Sequence, residues 1–234
     1  MTGFNNFNQH DAHEFINAVF EKLYEDLSAS LSVLELSYRG FLRSMLYCEN
    51  EACRYESPNT NVFTTLTLPL CSDDHCTLTE CLTLFCEEEA LPEVALCRQC
   101  ECNTATKKKF KVTVWPNLLV IHLNRFKAIF NESTLELLGH ERLNTPISFP
   151  LSNFVVAESP FISYDCVGVV NHMGHFRGGH YTADVLRGDS WFHFDDNNTP
   201  IKIESPEGAL NASNHNAYLL FFERRAHSPT IVEI

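Results

Sequence analysis

The amino-terminal part of the chain alternates apolar and polar residues with the period of an α-helix. Apolar side chains recur three or four positions apart at Ala12, Phe15, Ile16, Val19, Phe20, Leu23 and Leu27. This spacing gathers them on one face and predicts an amphipathic helix from Asn8 to Leu27. Asn8 would cap this helix, and Asp11 would place a carboxylate near the first free amide groups, where negative charge is favourable.

After Leu31 the pattern changes to runs of β-branched and aromatic residues separated by turn residues. The runs predicted to be strands are Val62 to Leu70, Lys109 to Val114, Leu118 to Phe126, Tyr164 to His172, His180 to Leu186, Trp191 to Asp195 and Ala217 to Glu223. Most are too close together for helical crossovers, so we expect mainly antiparallel pairing. A short helix is predicted from Leu78 to Phe85, capped by Thr77. Residues 131–144 and 173–179 are expected to form hairpins or loops. The fold class is therefore α+β.

The charge balance excludes two kinds of partner. The chain has 30 acidic and 17 basic residues, a net charge of −13. Nucleic acids and anionic membrane surfaces attract basic faces, so we expect neither a nucleic acid nor a membrane as partner. The sequence contains no apolar run long enough to span a bilayer, and its start has no secretion signal. We therefore expect a cytoplasmic or nuclear protein.

The chain contains ten cysteines, which without a secretion signal suggest thiols and metal ligands more than disulfides. Cys97 and Cys100 form a CxxC pair, and Cys48 and Cys53 form a second pair with a longer gap. Two such pairs brought together by a hairpin would offer zinc four thiolates and predict a structural zinc ribbon. Ordinary half-buried thiols are the alternative. The other six are interpreted as core or loop thiols: Cys71, Cys76, Cys81, Cys86, Cys102 and Cys166.

His180 and Asp195 suggest catalytic chemistry. Gly178 and Gly179 allow the chain before His180 to approach a neighbouring backbone closely, and Asp195 ends the next predicted strand. If these strands form a hairpin, the two residues come opposite one another, and the carboxylate can orient the imidazole of a general base. A purely structural histidine is the alternative. Three other histidines are interpreted as structural rather than as metal ligands: His172, His175 and His193.

Several segments, in chain order, resemble the ubiquitin-specific protease family of deubiquitinating cysteine proteases. Residues 9–15, QHDAHEF, resemble the QQDAxEF helix start of the family, and residues 115–126 match its PxxLxxxLxRF strand. Residues 40–100 resemble its fingers, and residues 178–183 its histidine box. The resemblance implies a papain-like cysteine protease architecture in residues 1–225, with a mainly antiparallel palm, zinc-ribbon fingers at about 40–115 and an incomplete thumb. Residues 226–234 are expected to form a loose tail.

The resemblance also implies a reaction and catalytic roles. The family hydrolyses the isopeptide bond that follows the terminal glycine of ubiquitin. His180 would be the general base, Asp195 the acid that orients it, and Asp196 an accessory carboxylate beside the site. The zinc of the fingers would be held by the four cysteines of the predicted ribbon.

The same resemblance implies a binding channel for the C-terminal tail of ubiquitin. Asp11 and Glu14 would meet the arginines of that tail, while a helix cap and a first-turn carboxylate explain these two residues equally well. Gly178 and Gly179 would line the channel near the scissile bond. Ubiquitin and ubiquitinated proteins are therefore the expected partners.

A nucleophilic cysteine is missing from the expected pattern. In the family the cysteine box precedes the QQDAxEF segment, but the ten residues before Asp11 contain no cysteine. We therefore expect this chain to be inactive by itself, as a truncated form of an active protease. An incomplete gene model, a non-catalytic ubiquitin-binding scaffold or pseudoenzyme, and a zinc-ribbon interaction module are the alternatives.

Overall fold

The computed structural model describes residues 4, 9–27, 37–53, 55–72, 74–91, 94–104, 106–156, 159–176, 178–211 and 214–226. The helices are α1 (Ala12–Leu27), α2 (Leu78–Cys86) and α3 (Pro206–Asn211). Among the described residues, no helix is long and apolar enough to cross a membrane. Most of the predicted tail, from residue 227 onwards, lies outside the described residues.

The strands, in chain order, are β1 (Gly40–Cys48), β2 (Glu56–Phe63), β3 (Leu66–Pro69), β4 (Cys76–Thr77), β5 (Glu89–Ala90), β6 (Ala95–Leu96), β7 (Asn103–Thr104), β8 (Thr106–Val114), β9 (Leu118–Asn124), β10 (Phe126–Phe130), β11 (Leu137–Arg142), β12 (Ile147–Ser148), β13 (Phe154–Val155), β14 (Ser163–His175), β15 (Gly178–Arg187), β16 (Ser190–Phe194), β17 (Ile201–Ile203) and β18 (Ala217–Arg224).

The helix caps are only partly as predicted. Helix α1 begins at Ala12 because the Oδ1 atom of Asp11 accepts the backbone N–H groups of His13, at 2.7 Å, and Glu14, at 3.1 Å. The predicted start at Asn8 is therefore wrong, and Asn8 itself lies outside the described residues. Helix α2 begins as predicted, since Thr77 and Glu80 form a reciprocal capping box.

A large sheet forms the palm in the order β17-β16-β15-β14-β18-β9-β3, with β13 also paired to β14. Its pairs are antiparallel except for β3 with β9, so the expected antiparallel pairing is confirmed. The palm packs against α2 through fully buried side chains such as Leu68, Leu78 and Leu119. This burial of apolar surface stabilises the scaffold beneath the site.

Two predicted strands are interrupted for identifiable reasons. Residues 62–70 divide between β2 and β3 because Thr64 and Thr65 turn aside and donate hydrogen bonds to Asn17, at 3.0 and 3.1 Å. The other interruption separates β9 from β10 at Arg125, which is only 1% exposed. Its side chain enters the interior and donates hydrogen bonds to the carbonyl oxygens of Leu143, Thr145, Asn214 and Ala217.

A second sheet, in the order β2-β1-β8-β5, carries the first cysteine pair near the end of β1. The short hairpin β6–β7 flanks the second cysteine pair. This second sheet and the hairpin fall within the predicted fingers region, residues 40–115.

Both predicted excursions are hairpins. Residues 131–144 contain the turn after β10 and the strand β11, which pairs with β10. Residues 173–179 form the tip of the hairpin β14–β15. Arg142 connects the two hairpins by donating hydrogen bonds to the carbonyl oxygens of His172, at 2.7 Å, and Gly174, at 3.0 Å. This link holds β14, the strand that pairs with the His180 strand β15.

Candidate active site and metal centre

His180 and Asp195 form a direct carboxylate–imidazole contact. The Nε2 atom of His180 lies 2.6 Å from Oδ1 of Asp195. The strands pair as Ala183 with Phe194, so extending that register places position 182, and not His180, opposite Asp195. The two residues are diagonal neighbours on one face of the sheet. The expected contact is therefore present, but the directly opposed register is wrong.

A turn after β16 fixes the carboxylate of Asp195. The side-chain amide of Asn198 donates to Oδ2 of Asp195 at 3.3 Å, and its backbone N–H donates to the Asp195 carbonyl at 3.0 Å. Asp196, between them, has a φ of 46° and is exposed. Its carboxylate lies within 4.8 Å of the ligand atoms of both His180 and Asp195. Asn198 was not predicted, although an Asp-Asp-Asn-Asn run is typical of such a turn.

A cleft of about 400 Å³ is lined by Gly179 and Tyr181, the residues on either side of His180 in β15. All four predicted substrate-binding residues line it: Asp11, Glu14, Gly178 and Gly179. Glu14 is exposed in the first turn of α1. Gly178 and Gly179 follow Asp11 and Glu14 by more than 160 positions in the sequence. The pairing of β15 with β14 brings the two glycines to the start of α1.

Asp11 is held by two tyrosines as well as by its helix. Its Oδ2 atom accepts the hydroxyl groups of Tyr218, at 2.6 Å, and Tyr181, at 3.2 Å. Burial opposes ionisation, but the hydrogen bonds from Tyr218 and from the amides of Glu14 and His13 hold the pKa of Asp11 below its ordinary value. Burial, together with the Asp11 carboxylate, raises the pKa of both tyrosines. Asp11 is therefore an anion at neutral pH with two protonated donors.

The glycine pair is required by close packing. Gln9 accepts the backbone N–H of Gly179 through Oε1 at 3.1 Å. A Cβ atom on Gly178 would crowd this same oxygen, and one on Gly179 would collide with Nε2 of His172 and the Met173 carbonyl. Glycine at position 179 lets β15 lie close to β14, and glycine at position 178 leaves room for the Gln9 side chain against the hairpin.

His13 and His122 form a stacked pair at one side of the cleft, with ring centroids 4.0 Å apart. His122 is 8% exposed, and burial lowers its pKa to about 3. Its Nδ1 atom contacts Thr67 Oγ1 at 3.1 Å, whereas its buried Nε2 atom has no hydrogen-bond partner among the described residues. The sequence analysis missed this site, and the available signal was one polar residue inside the otherwise apolar β9.

A second carboxylate–histidine pair was also missed. His193 Nδ1 lies 2.6 Å from Oδ1 of Asp184, and Asn171 donates to the other carboxylate oxygen at 2.7 Å. Asp184 and His193 are directly opposed in the sheet, and Asp184 is buried. The carboxylate of Asp184 is therefore buried within the palm. The His180–Asp195 pair is more open, since the imidazole of His180 is 44% exposed.

The four predicted metal ligands come together at the tip of the fingers. The sulfur atoms of Cys48, Cys53, Cys97 and Cys100 lie within 4.8 Å of one another, with Cys48 3.9 Å from Cys100 and Cys53 3.8 Å from Cys97. Sulfur atoms around zinc at 2.3 Å would be ~3.8 Å apart. Hydrogen bonds from the amides of Cys100 and Gln99 lower the pKa of Cys97 to about 7. The cluster therefore fits a structural zinc site.

Comparison with known proteins identifies relatives of this arrangement. A family model described as ubiquitin carboxyl-terminal hydrolase matches residues 1–222. Ubiquitin carboxyl-terminal hydrolase 4 of Saccharomyces cerevisiae is 29% identical over 219 residues, which cover 85% of this chain and 23% of that protein. Ubiquitin carboxyl-terminal hydrolase 2 of Gallus gallus is 32% identical over 195 residues, covering 79% and 51%. The chain thus spans between about a quarter and a half of the length of these relatives.

Solved structures show the same fold. A chain in the SAGA Ubp8/Sgf11/Sus1/Sgf73 DUB module bound to ubiquitin aldehyde superimposes with a TM-score of 0.74 and 26% identity, covering 94% of this chain and 50% of that one. A chain of the same module bound to monoubiquitin gives a TM-score of 0.75 and 27% identity, covering 94% and 50%.

Proposed function

Because the chain belongs to the ubiquitin carboxyl-terminal hydrolase family, we propose that it provides the histidine and carboxylate of a cysteine deubiquitinase site and binds the C-terminal tail of ubiquitin. The single observation that carries this proposal is the 2.6 Å contact between His180 and Asp195. The residues next to His180 in the chain, Gly179 and Tyr181, line the cleft together with Gly178. In a fold of this family, a general base next to a narrow channel suits cleavage after a glycine.

In the proposed reaction a cysteine thiolate attacks the carbonyl carbon of ubiquitin's terminal glycine. His180 takes the thiol proton and returns it to the departing lysine amine. Because Nε2 of His180 faces Asp195, Nδ1 is the ring nitrogen that exchanges this proton. Asp195 fixes the orientation of the imidazole and stabilises its protonated form, and Asp196 adds negative charge beside it.

The cysteines of this chain are unsuited to the role of nucleophile. Four form the cluster at the fingers, and Cys102 follows that cluster directly. Cys71, Cys76, Cys81 and Cys86 belong to the buried core or pack against it. Cys166 is buried, and burial raises its pKa to about 12, which keeps it a thiol. We therefore propose that this chain does not hydrolyse ubiquitin conjugates by itself.

The cleft suits a cationic peptide that ends in small residues. Asp11 and Glu14 supply negative charge at the start of α1, and the overall charge of −13 favours a basic partner. Gly178 and Gly179 line the same cleft immediately before His180 in the chain. The solved relatives bound to monoubiquitin and to ubiquitin aldehyde support ubiquitin as the partner.

We also propose that Cys48, Cys53, Cys97 and Cys100 bind one zinc ion with a structural role. Four thiolates complete a tetrahedral shell and leave no position for a substrate, as in structural zinc sites. The ion would join the end of β1 to the hairpin β6–β7 and hold the tip of the fingers together.

A non-catalytic ubiquitin-binding scaffold is the second candidate, and the unsuitability of the cysteines favours it. A ubiquitin probe with an electrophilic C-terminus, together with calorimetric titration with ubiquitin, tests both functions. Ubiquitin binding without labelling supports a chain that binds ubiquitin but lacks a nucleophile. Labelling of a cysteine would contradict the proposed inactivity.

The binding cleft has its own test. Glu14→Lys should weaken ubiquitin binding by about tenfold, equivalent to ~1.4 kcal/mol, because it reverses the charge that faces the basic tail. Glu223→Lys is a matched control, since Glu223 is exposed near the far end of β18 from Tyr218, and it should leave binding within about twofold. Equal binding of ubiquitin with and without its tail would overturn this use of the cleft.

A further inference from the structure

A second group of thiols lies away from the fingers, where β3 leads into α2. Cys71 follows β3, Cys76 begins β4, and Cys81 lies on α2. Their sulfur atoms lie within 4.8 Å of one another, the same limit that holds for the four cysteines at the fingers. The interpretation of these residues as core or loop thiols is confirmed, since Cys76 and Cys81 belong to the core and Cys71 packs against it. Their approach to one another could not be read from the sequence.

The loop around these thiols directs polar groups at sulfur. The backbone N–H groups of Cys71 and Ser72 donate to Sγ of Cys76, at 2.9 and 3.1 Å. Cys76 and Cys81 are fully buried, whereas Cys71 is partly exposed. The cluster thus has backbone N–H groups directed at its buried sulfur, and one partly exposed side through which a metal ion can enter.

A buried cation lies next to the cluster. Arg125 is 1% exposed, and it donates to the Thr145 carbonyl at 2.8 Å, while the next carbonyl along the chain, that of Pro146, accepts the backbone N–H of Cys76 at 3.0 Å. Its guanidinium donates to backbone carbonyl oxygens, those of Leu143, Thr145, Asn214 and Ala217. Within the described part of the chain it forms no ion pair with a carboxylate. A buried charge is costly unless an opposite charge balances it.

We propose that Cys71, Cys76 and Cys81 bind a divalent zinc ion through three thiolates, and that this site balances the charge of Arg125. Three thiolates and one divalent ion carry a net charge of −1, which complements the single positive charge of the guanidinium. Zinc–sulfur bonds of about 2.3 Å require the sulfur atoms to lie ~3.8 Å apart, a small contraction of the present cluster. Glu80, whose Oε2 lies 3.9 Å from Cys71 Sγ, or a water molecule would complete the shell.

Zinc content measured by inductively coupled plasma mass spectrometry tests the proposal on the whole chain. We expect two equivalents per chain, one at the fingers and one here. The double substitution Cys71→Ser and Cys81→Ser should remove one equivalent, and Cys97→Ser with Cys100→Ser should remove the other. Cys86→Ser is the matched control: this buried cysteine lies on the same helix but outside the cluster, and two equivalents should remain.

A measurement on the unsubstituted chain keeps the test valid if a variant fails to fold. Alkylation with iodoacetamide, followed by peptide mass spectrometry, should label exposed Cys102 at once and Cys71 only after a chelator removes zinc. One equivalent of zinc, or equal labelling of Cys71 before and after chelation, would overturn the proposal. A disulfide between Cys71 and either of its neighbours would do the same. Neither measurement involves ubiquitin, so the outcome is independent of the proposed function.

Discussion

The hydroxyl group of Tyr218 donates a 2.6 Å hydrogen bond to the carboxylate of Asp11, across 207 positions of the sequence. The other oxygen of this carboxylate caps α1. One side chain therefore fixes the start of α1 against β18 and forms part of the floor of the cleft. This geometry makes the cleft depend on the protonation of Asp11.

We expect Tyr218→Phe to reduce the free energy of unfolding by about 1–2 kcal/mol at pH 7, because a buried hydrogen bond to a charged group is lost. Hydrogen bonding holds the folded-state pKa of Asp11 below 3.8. The resulting stabilisation is present above that unfolded-state value and is lost as the pH falls through the lower folded-state pKa. Urea unfolding should therefore show that the difference between variant and wild type decreases at the acid end.

Tyr164→Phe provides the control for this pH dependence. The hydroxyl of Tyr164 donates to the Pro116 carbonyl at 2.6 Å, and a carbonyl group does not titrate. Its loss should reduce stability by a similar amount at every pH. The same acid-side decrease in both variants would show that Asp11 is not responsible.

Much of the fold follows from local pattern. The capping box of Thr77 and Glu80, the alternation in the palm strands and the hairpins all depend on residues within a few positions of each other, so the sequence predicts them. The start of α1 is different. Asn8 and Asp11 are both good caps, and the choice depends on contacts with Tyr181 and Tyr218, which no local pattern contains.

The candidate site was also predictable in part, because some of its signals lie within a short stretch of the sequence. A glycine pair, a histidine and a carboxylate after the next strand indicate the contact of His180 with Asp195. The diagonal geometry depends on strand register, which the sequence does not fix. The pair formed by Asp184 and His193 has an equally short contact, and only the three-dimensional arrangement shows that its carboxylate is buried.

His122 should make stability depend on pH in the weakly acidic range. Burial holds its folded-state pKa at about 3, against 6.5 when unfolded. Its contribution is full above pH 6.5 and is lost as the pH falls toward 3, by up to about 1.4 kcal/mol per pH unit. His122→Gln should therefore reduce the slope of the unfolding free energy between pH 6.5 and 4.

Proton NMR of the imidazole checks the cause directly. The ring Cε1 proton that disappears in His122→Gln should keep the chemical shift of a neutral histidine down to pH 4 in the wild type. A titration midpoint near pH 6 would contradict this assignment, even if the variant were less stable for other reasons.

The contact of His180 with Asp195 predicts one tautomer of the imidazole. A proton held between Nε2 and Oδ1 at 2.6 Å should give a far-downfield resonance in the NMR spectrum. Asp195→Ala should abolish this resonance, whereas Asp196→Ala should retain it, because Asp196 lies beside the pair without forming the short bond. Loss in both variants would mean that the turn after β16, rather than the Asp195 carboxylate, orients the ring.

Gly179 offers the sharpest test of how the cleft is built. Gly179→Ala adds a methyl group that collides with the His172 ring and the Met173 carbonyl, so the hairpin β14–β15 must move. We expect a loss of about 1–3 kcal/mol in the free energy of unfolding and weaker ubiquitin binding, because the displaced backbone releases Gln9.

Gly139→Ala is the matched control, since a Cβ atom at this strand position meets nothing within 4 Å, and its effect should stay within about 0.5 kcal/mol. Denaturant titrations and calorimetry measure both effects. If the two variants were equally stable and bound ubiquitin equally well, close packing of β15 against β14 would not be what shapes the cleft.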